Sequence, residues 1–267
     1  MPKVTTERDG RVFVITIDRP EVRNCIDGET AALLERAWKE FRDDEELWVA
    51  ILTGAGDVSF CAGADLKSLD SLGPGPDASV HARRRFLTDG PGFIGYTRQT
   101  DIFKPIVAAV NGYALAGGLE LACLADIRIA AENAEFGVTC RKWNVPLVDG
   151  GTQRLPRIVG MGFAMELILT GRVIGAEEAR RIGLVNEVVP RGQALARARE
   201  LAAALCELPQ GAMRTDKQAA VMGWGRPLAE GLRIEAEVGA DAIGGRAIRE
   251  GAAAFVAKRK PRYTHDE

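Results

Sequence analysis

The stretch from residue 106 to 130 constrains the fold more than any other. An apolar run, Ile106 to Val110 (IVAAV), passes through a glycine-rich turn into the apolar segment Gly117 to Leu124 and then into Ile127 to Ala130 (IRIA). The first and last runs have the β-branched content and turn-bounded length of strands, and the middle one reads as a short buried helix. Segments with no polar side to offer to water must be covered on both faces, as the strands of a parallel sheet are. The pattern has a counterpart near the N-terminus. Arg11 to Ile17 (RVFVITI) and Trp48 to Thr53 (WVAILT) read as strands, and between them Glu29 to Phe41 places apolar residues at helical spacing with Asp27 as N-cap. Strand, helix and strand make a βαβ unit, so the expected class is α/β with a parallel sheet buried on both faces.

Two segments break this rhythm. Ser71 to Ala78 (SLGPGPDA) is too rich in turn formers for a regular element and forms either a surface connection or a loop beside a site. A helix-like stretch runs from Ser79 to about Thr100, its arginines at 83 to 85 marking a solvated face. Beyond Pro190 the composition turns to Ala, Arg, Glu and Leu, with helical spacing from Ala194 to Cys206, a new helix start at Pro209 and further helices to about Lys258. The expected organisation is an α/β core over 1–190 carrying the site, and a helical docking or oligomerisation region over 191–267.

Composition removes several kinds of chemistry. The chain has 267 residues and two histidines, His81 in a charged stretch and His265 at the end, which leaves no basis for a Ser-His-Asp triad or a His-rich zinc site. Acid–base work falls to carboxylates, Cys, Lys or Tyr. A net charge of −2 gives no general reason to bind nucleic acid or a membrane surface. Five cysteines without a CxxC pair point to reduced thiols, and the start MPKVTTERDGRVFVITI lacks the pattern of a signal peptide, so a cytoplasmic protein is expected.

Chemistry concentrates in two glycine turns. Phe60 to Lys67 (FCAGADLK) leads from the strand at 48–53 into a predicted helix, and Asn111 to Leu121 (NGYALAGGLEL) links an apolar strand to a buried helix. Each puts backbone N–H groups at a helix start, where they lack intrahelical partners. The dinucleotide fingerprint GxGxxG and the P-loop are both absent. Two such turns in one domain can instead aim one amide each at a shared oxygen, an oxyanion hole in which each donor is worth ~2.7–4 kcal/mol of barrier. Glu120, in the setting GLELACL, is placed beside these donors as an acid–base group, its carboxyl pushed up by burial and down by the helix N-terminus.

The segments CAGADLK at 61–67 and NGYALAGGLELACLADIRIA at 111–130 are followed by GGTQRLPRIVG at 150–160 and LTGRVIGAEEARRIGLVNEVVP at 169–190. Together with RPEVRNCID at 19–27 and AFVAKRKP at 254–261, they resemble the crotonase superfamily of enoyl-CoA hydratases and isomerases across nearly the whole chain. The resemblance implies a spiral of ββα units with a helical C-terminal region that builds trimers, usually paired into hexamers. It implies an acyl-CoA substrate whose own CoA serves in place of a separate cofactor, with no metal, nucleic acid or membrane partner. The reaction it implies is hydration or isomerisation of a trans-2-enoyl-CoA through an enolate.

Motif by motif, Ala64 and Gly117 supply the oxyanion amides, and Ala64, Asp65, Leu66 and Lys67 lie along CoA. Arg23 and Lys67 stand near its phosphates, while Lys258 either reaches CoA, its own or a neighbour's, or is plain surface. Glu120 matches the first catalytic glutamate of hydratases. The second falls on Cys140 in VTCRKW, a thiol that is a poor proton-delivering acid at its usual pKa of ~8.5. Asp149 is the nearest alternative carboxylate, either joining the site or capping the helix that holds Gln153 to Val159. Trp143 lines an acyl pocket or packs in the core. The departure at Cys140 leaves a double-bond isomerase and a non-catalytic acyl-CoA-binding protein beside the hydratase reading.

Overall fold

The computed structural model describes residues 2–263, so His265 lies outside the described residues. Strands β1 (Val4–Asp9) and β2 (Val12–Ile17) open the chain, and helix α1 (Gly28–Asp43) carries it to β3 (Val49–Gly54). There follow β4 (Ser59–Cys61), α2 (Val80–Asp89), β5 (Ile106–Val110), β6 (Tyr113–Leu115), α3 (Gly117–Leu124), β7 (Ile127–Ala131) and β8 (Glu135–Gly137). Next come α4 (Gly151–Thr170), β9 (Val173–Gly175), α5 (Ala176–Arg181), β10 (Glu187–Val189) and α6 (Ala194–Cys206). Helices α7 (Gln210–Gly223), α8 (Leu228–Gly244) and α9 (Arg246–Val256) close it.

A six-stranded sheet runs β1-β2-β3-β5-β7-β10, parallel except for β1, and a four-stranded sheet runs β4-β6-β8-β9. Each turn of the chain gives one strand to the first sheet, one to the second, and then a helix: β3-β4-α2, β5-β6-α3, β7-β8-α4. That is a spiral of ββα units. The short strands β4, β6 and β8 fall inside stretches that read as turns in sequence, because three residues are too few to show a period.

Side-chain alternation divides the core. Phe13, Ile15 and Ile17 of β2 pack toward Leu34, Trp38 and Phe41 of α1, while Val12 and Val14 join Val49, Ile51, Val107 and Ala109 on the opposite face. That second face is covered by Ala194, Ala198 and Ala202, the small-residue stripe of α6. The boundary expected at 190 thus precedes a helix that belongs to the sheet's cover, and the exposed part of the helical region is α7 to α9, with Leu228, Ile243, Phe255 and Val256 open to solvent.

Asp27 caps α1 as expected, its Oδ1 accepting from Thr30 N at 2.9 Å. Two expected helices are shorter or of another kind. The helix from Ser79 ends at Asp89 rather than near Thr100, because Gly90, Pro91 and a left-handed Gly92 (φ 129°) cannot continue it. After Asp65 the chain forms a kinked 3-10 helix, Leu66–Ser71, not an α-helix.

Candidate active site

The first turn is sewn to the N-terminal loop. Ala62 N donates to Arg23 O (3.1 Å), Ile26 N to Gly63 O (2.9 Å) and Asp65 N to Ile26 O (2.8 Å), so this bridge uses residues on either side of Ala64 and leaves its N–H out of the ladder. Buried polar groups hold the loop in place. Asn24 accepts from Arg19 N (2.9 Å) and donates to Ser59 O (2.7 Å) and Ala55 O (3.1 Å), and Arg19 pairs with Asp65 (3.0 Å) and Asp27 (3.3 Å). Asp65 also caps the 3-10 helix by accepting from Lys67 N at 3.1 Å. It therefore shapes the loop from within.

The second turn brings the start of α3 against the end of β4. A Cβ on Gly118 would stand 1.8 Å from Cys61 O, so only glycine permits this approach. Gly63, at φ 93°, would place a Cβ 2.9 Å from Gly117 N. Between them Ala116 is held at φ 52°, ψ −120°, a strained setting for a residue with a Cβ, and it turns the chain into α3 with Gly117 N–H at the helix start. The Ala64 and Gly117 amides are neighbours: a Cβ on Gly117 would lie 3.8 Å from Ala64 N.

Glu120, one turn into α3, is buried. Its Oε1 accepts from Gly151 N (2.8 Å) and Asp149 N (3.0 Å) at the start of α4. Burial, and then the charge of Asp149, push this carboxyl up to about 8 against the two amides and Arg154. Gly151 is required here as well, since a Cβ would sit 2.9 Å from Glu120 Cγ.

Asp149 does not cap α4; Gly150 occupies that position. Its Oδ1 instead accepts from Phe93 N (2.8 Å), Ile94 N (3.2 Å) and the Thr97 hydroxyl, and burial pushes the carboxyl above its ordinary value. Cys140 is buried with its thiol pushed up by burial and by Glu120, so it is protonated at neutral pH.

These groups share one cavity of about 410 Å³. Arg23, Ala64, Asp65, Leu66, Lys67, Gly117, Glu120 and Asp149 all line it, as do Cys140 and Trp143. Trp143 is 68% exposed, which removes the core-packing alternative and leaves it at the rim. Arg23 and Lys67 are exposed at the same cavity, whereas Lys258 and His81 are exposed and do not line it. Among the described residues no group of His, Cys, Asp and Glu has the arrangement to hold a metal ion. No described helix is long and apolar enough to cross a membrane.

Residues 7–266 match the family model of enoyl-CoA hydratase/isomerase. The chain belongs to this family. It is 41% identical over 229 residues, 86% of each chain, to the (E)-benzylidenesuccinyl-CoA hydratase of Thauera aromatica. It is 37% identical over 260 residues, 96% of this chain and 95% of the relative, to the short-chain-enoyl-CoA hydratase of Clostridium acetobutylicum. The crystal structure of an enoyl-CoA hydratase from Mycobacterium marinum superposes with a TM-score of 0.88 at 35% identity, covering 99% of this chain and all of that one. The α/β spiral is thus the fold of solved enoyl-CoA hydratases.

Several site residues of this hydratase/isomerase family member carry no sequence signal of their own. Phe93, Ile94 and Thr97 reach the site only because a distant loop meets it there, while Arg19, Asn24 and Ala116 lie within the segments RPEVRNCID and NGYALAGGLEL without standing out from them. Arg154 lay within the motif GGTQRL; its Nη1 donates to Asp149 O (2.9 Å) and its Nη2 to Thr97 O (2.7 Å).

Proposed function

We propose that the protein binds an enoyl-CoA thioester, holds the thioester oxygen on the Ala64 and Gly117 amides, and uses Glu120 to move a proton at the acyl α-carbon. The observation that carries this reading is the meeting of the two amides and a buried, raised carboxyl in one cavity. Backbone donors stabilise negative charge as it develops on the oxygen, which makes the enolate accessible. A carboxyl near 8 exchanges protons readily near neutral pH, as a shuttle must.

In hydration, the Glu120 carboxylate takes a proton from water as the water oxygen bonds to Cβ, and the same proton goes to Cα as the enolate collapses. CoA belongs to the substrate, so this chemistry needs no further cofactor. Arg23 and Lys67, exposed at the cavity mouth, are suited to the CoA phosphates, with Asp65 and Leu66 shaping the path between. The open apolar side chains of α7 to α9 favour self-association, as a trimer or a pair of trimers, in the cytoplasm.

Cys140 favours a second reading, double-bond isomerisation. A protonated thiol stands where a second carboxylate would activate water, and one carboxylate suffices to carry a proton between two carbons. Crotonyl-CoA separates the readings: hydration removes the enoyl absorbance, and no loss at high enzyme concentration sinks it. Gain of that absorbance from a 3-enoyl-CoA identifies the isomerase, and tight acyl-CoA binding without turnover on either substrate identifies a binding protein.

A further inference from the structure

Asp149 touches two parts of the site at once. Its backbone N–H donates to Glu120 Oε1 at 3.0 Å, beside the Gly151 N–H. Its side-chain Oδ1 accepts from Phe93 N, Ile94 N and the Thr97 hydroxyl, and Phe93 and Ile94 themselves line the cavity. Ile94 reaches the oxyanion turn, its Cδ1 lying 2.9 Å from where a Cβ on Gly117 would stand. The turn closes tightly around the carboxylate: a Cβ on Gly92 would lie 2.1 Å from Thr97 Oγ1 and 3.0 Å from Asp149 Oδ1. Arg154 locks the arrangement from behind by donating to both Asp149 O and Thr97 O, and Arg98 donates to Val148 O at 3.1 Å.

We propose that Asp149 is a positioning residue that couples the acyl wall at Phe93 and Ile94 to the proton-carrying Glu120, and is not itself a proton carrier. An oxygen that accepts three donors is committed as an acceptor, and donors of this kind favour the charged carboxylate against the burial that raises it. That negative charge, buried beside Glu120, raises Glu120 in turn. The other titratable groups facing Glu120 are Arg154, which lowers it, and the thiols of Cys140 and Cys123. The proposal rests on Glu120 being the shuttle.

Two variants test it on the full chain with the enoyl-CoA or 3-enoyl-CoA it turns over. Asp149→Asn removes the charge and keeps an oxygen for the three donors. Expected is a loss in kcat below about tenfold, with the rising limb of kcat/KM against pH moved to lower pH. Loss of a proton carrier would cost ~10²–10⁴-fold, so a loss of that size overturns the positioning role, as does an unmoved limb. Thr97→Val loosens the turn and leaves the charge; expected are a raised KM and altered preference between short and bulky acyl groups with the limb in place. Unchanged KM and preference refute the link to the acyl wall. Glu120→Gln separates the levels: full turnover there removes the shuttle itself, whereas an inactive Glu120→Gln beside an Asp149→Asn variant without the expected shift removes only the coupling.

Discussion

Replacing Glu120 by Gln is expected to make the protein more stable in alkali while removing its turnover. Gln keeps an oxygen for the Gly151 and Asp149 N–H groups, and it carries no charge. In the native protein the carboxyl moves from 4.5 to about 8, chiefly through burial. At ~1.4 kcal/mol per pH unit, that interval corresponds to a cost of about 5 kcal/mol for the fully ionised form. The sign follows from proton binding. The folded state holds this proton more tightly than the unfolded chain, so the stability from Glu120 is complete below pH 4.5 and is lost as pH rises through 8. About 3 kcal/mol of it is gone by pH 7 on the same arithmetic. The Gln variant has no such loss. Its advantage in Tm over the parent is expected to widen between pH 5 and pH 8 by on the order of 10 °C, at ~2–4 °C per kcal/mol for a chain of this size. Thermal melts of both proteins at equal concentration across that range measure it. Turnover, followed through the enoyl absorbance, is expected to fall by ~10²–10⁴-fold. A Tm gap that stays constant with pH, or a variant within tenfold of parental turnover, refutes the reasoning.

Gly63→Ala forces a Cβ to 2.9 Å from Gly117 N and 3.0 Å from Ala116 Cβ at a left-handed φ, so it displaces the Gly117 amide proposed to hold the thioester oxygen; the expected cost in kcat is ~10²-fold or more, with native-like circular dichroism. Asp27→Ala loses the cap of α1 and a partner of the buried Arg19, for a loss of ~1–2 kcal/mol in urea unfolding. Although burial opposes it, Lys3, Thr30 and Arg19 bring Asp27 down to about 2, so its contribution is present above pH 3.8 and the gap between variant and parent closes as pH falls through 2. Cys140→Ser is expected to keep turnover within about twofold, since the thiol is protonated at working pH; a loss of ~10²-fold or more makes the thiolate a participant.

Much of the frame was legible because local rules decided it. The largely apolar strands at 12–17, 49–54, 106–110 and 127–131 call for burial on both faces, and Asp27 announced its cap. The second sheet was not legible, because strands of three residues show no periodicity and pair only with strands far along the chain. Asp149 shows the same limit at the site. Asp before Gly-Gly-Thr has the local form of an N-cap, yet its oxygen serves residues 93–97, more than fifty positions away, since three donors converge on it there while Glu120 takes the Gly151 N–H at the helix start.

By itself the sequence determined which chemistry was open: two histidines and glycine turns beside a carboxylate point to backbone amides and Glu120 as the candidates. Only the tertiary structure decided how those parts are arranged. The raised carboxyl of Glu120, the strained Ala116 that turns the chain into α3, and the hold of Asp149 on Phe93, Ile94 and Thr97 all arise where distant loops exclude water from one another. Desolvation and steric closeness of that kind belong to the assembled cavity and to no single stretch of chain.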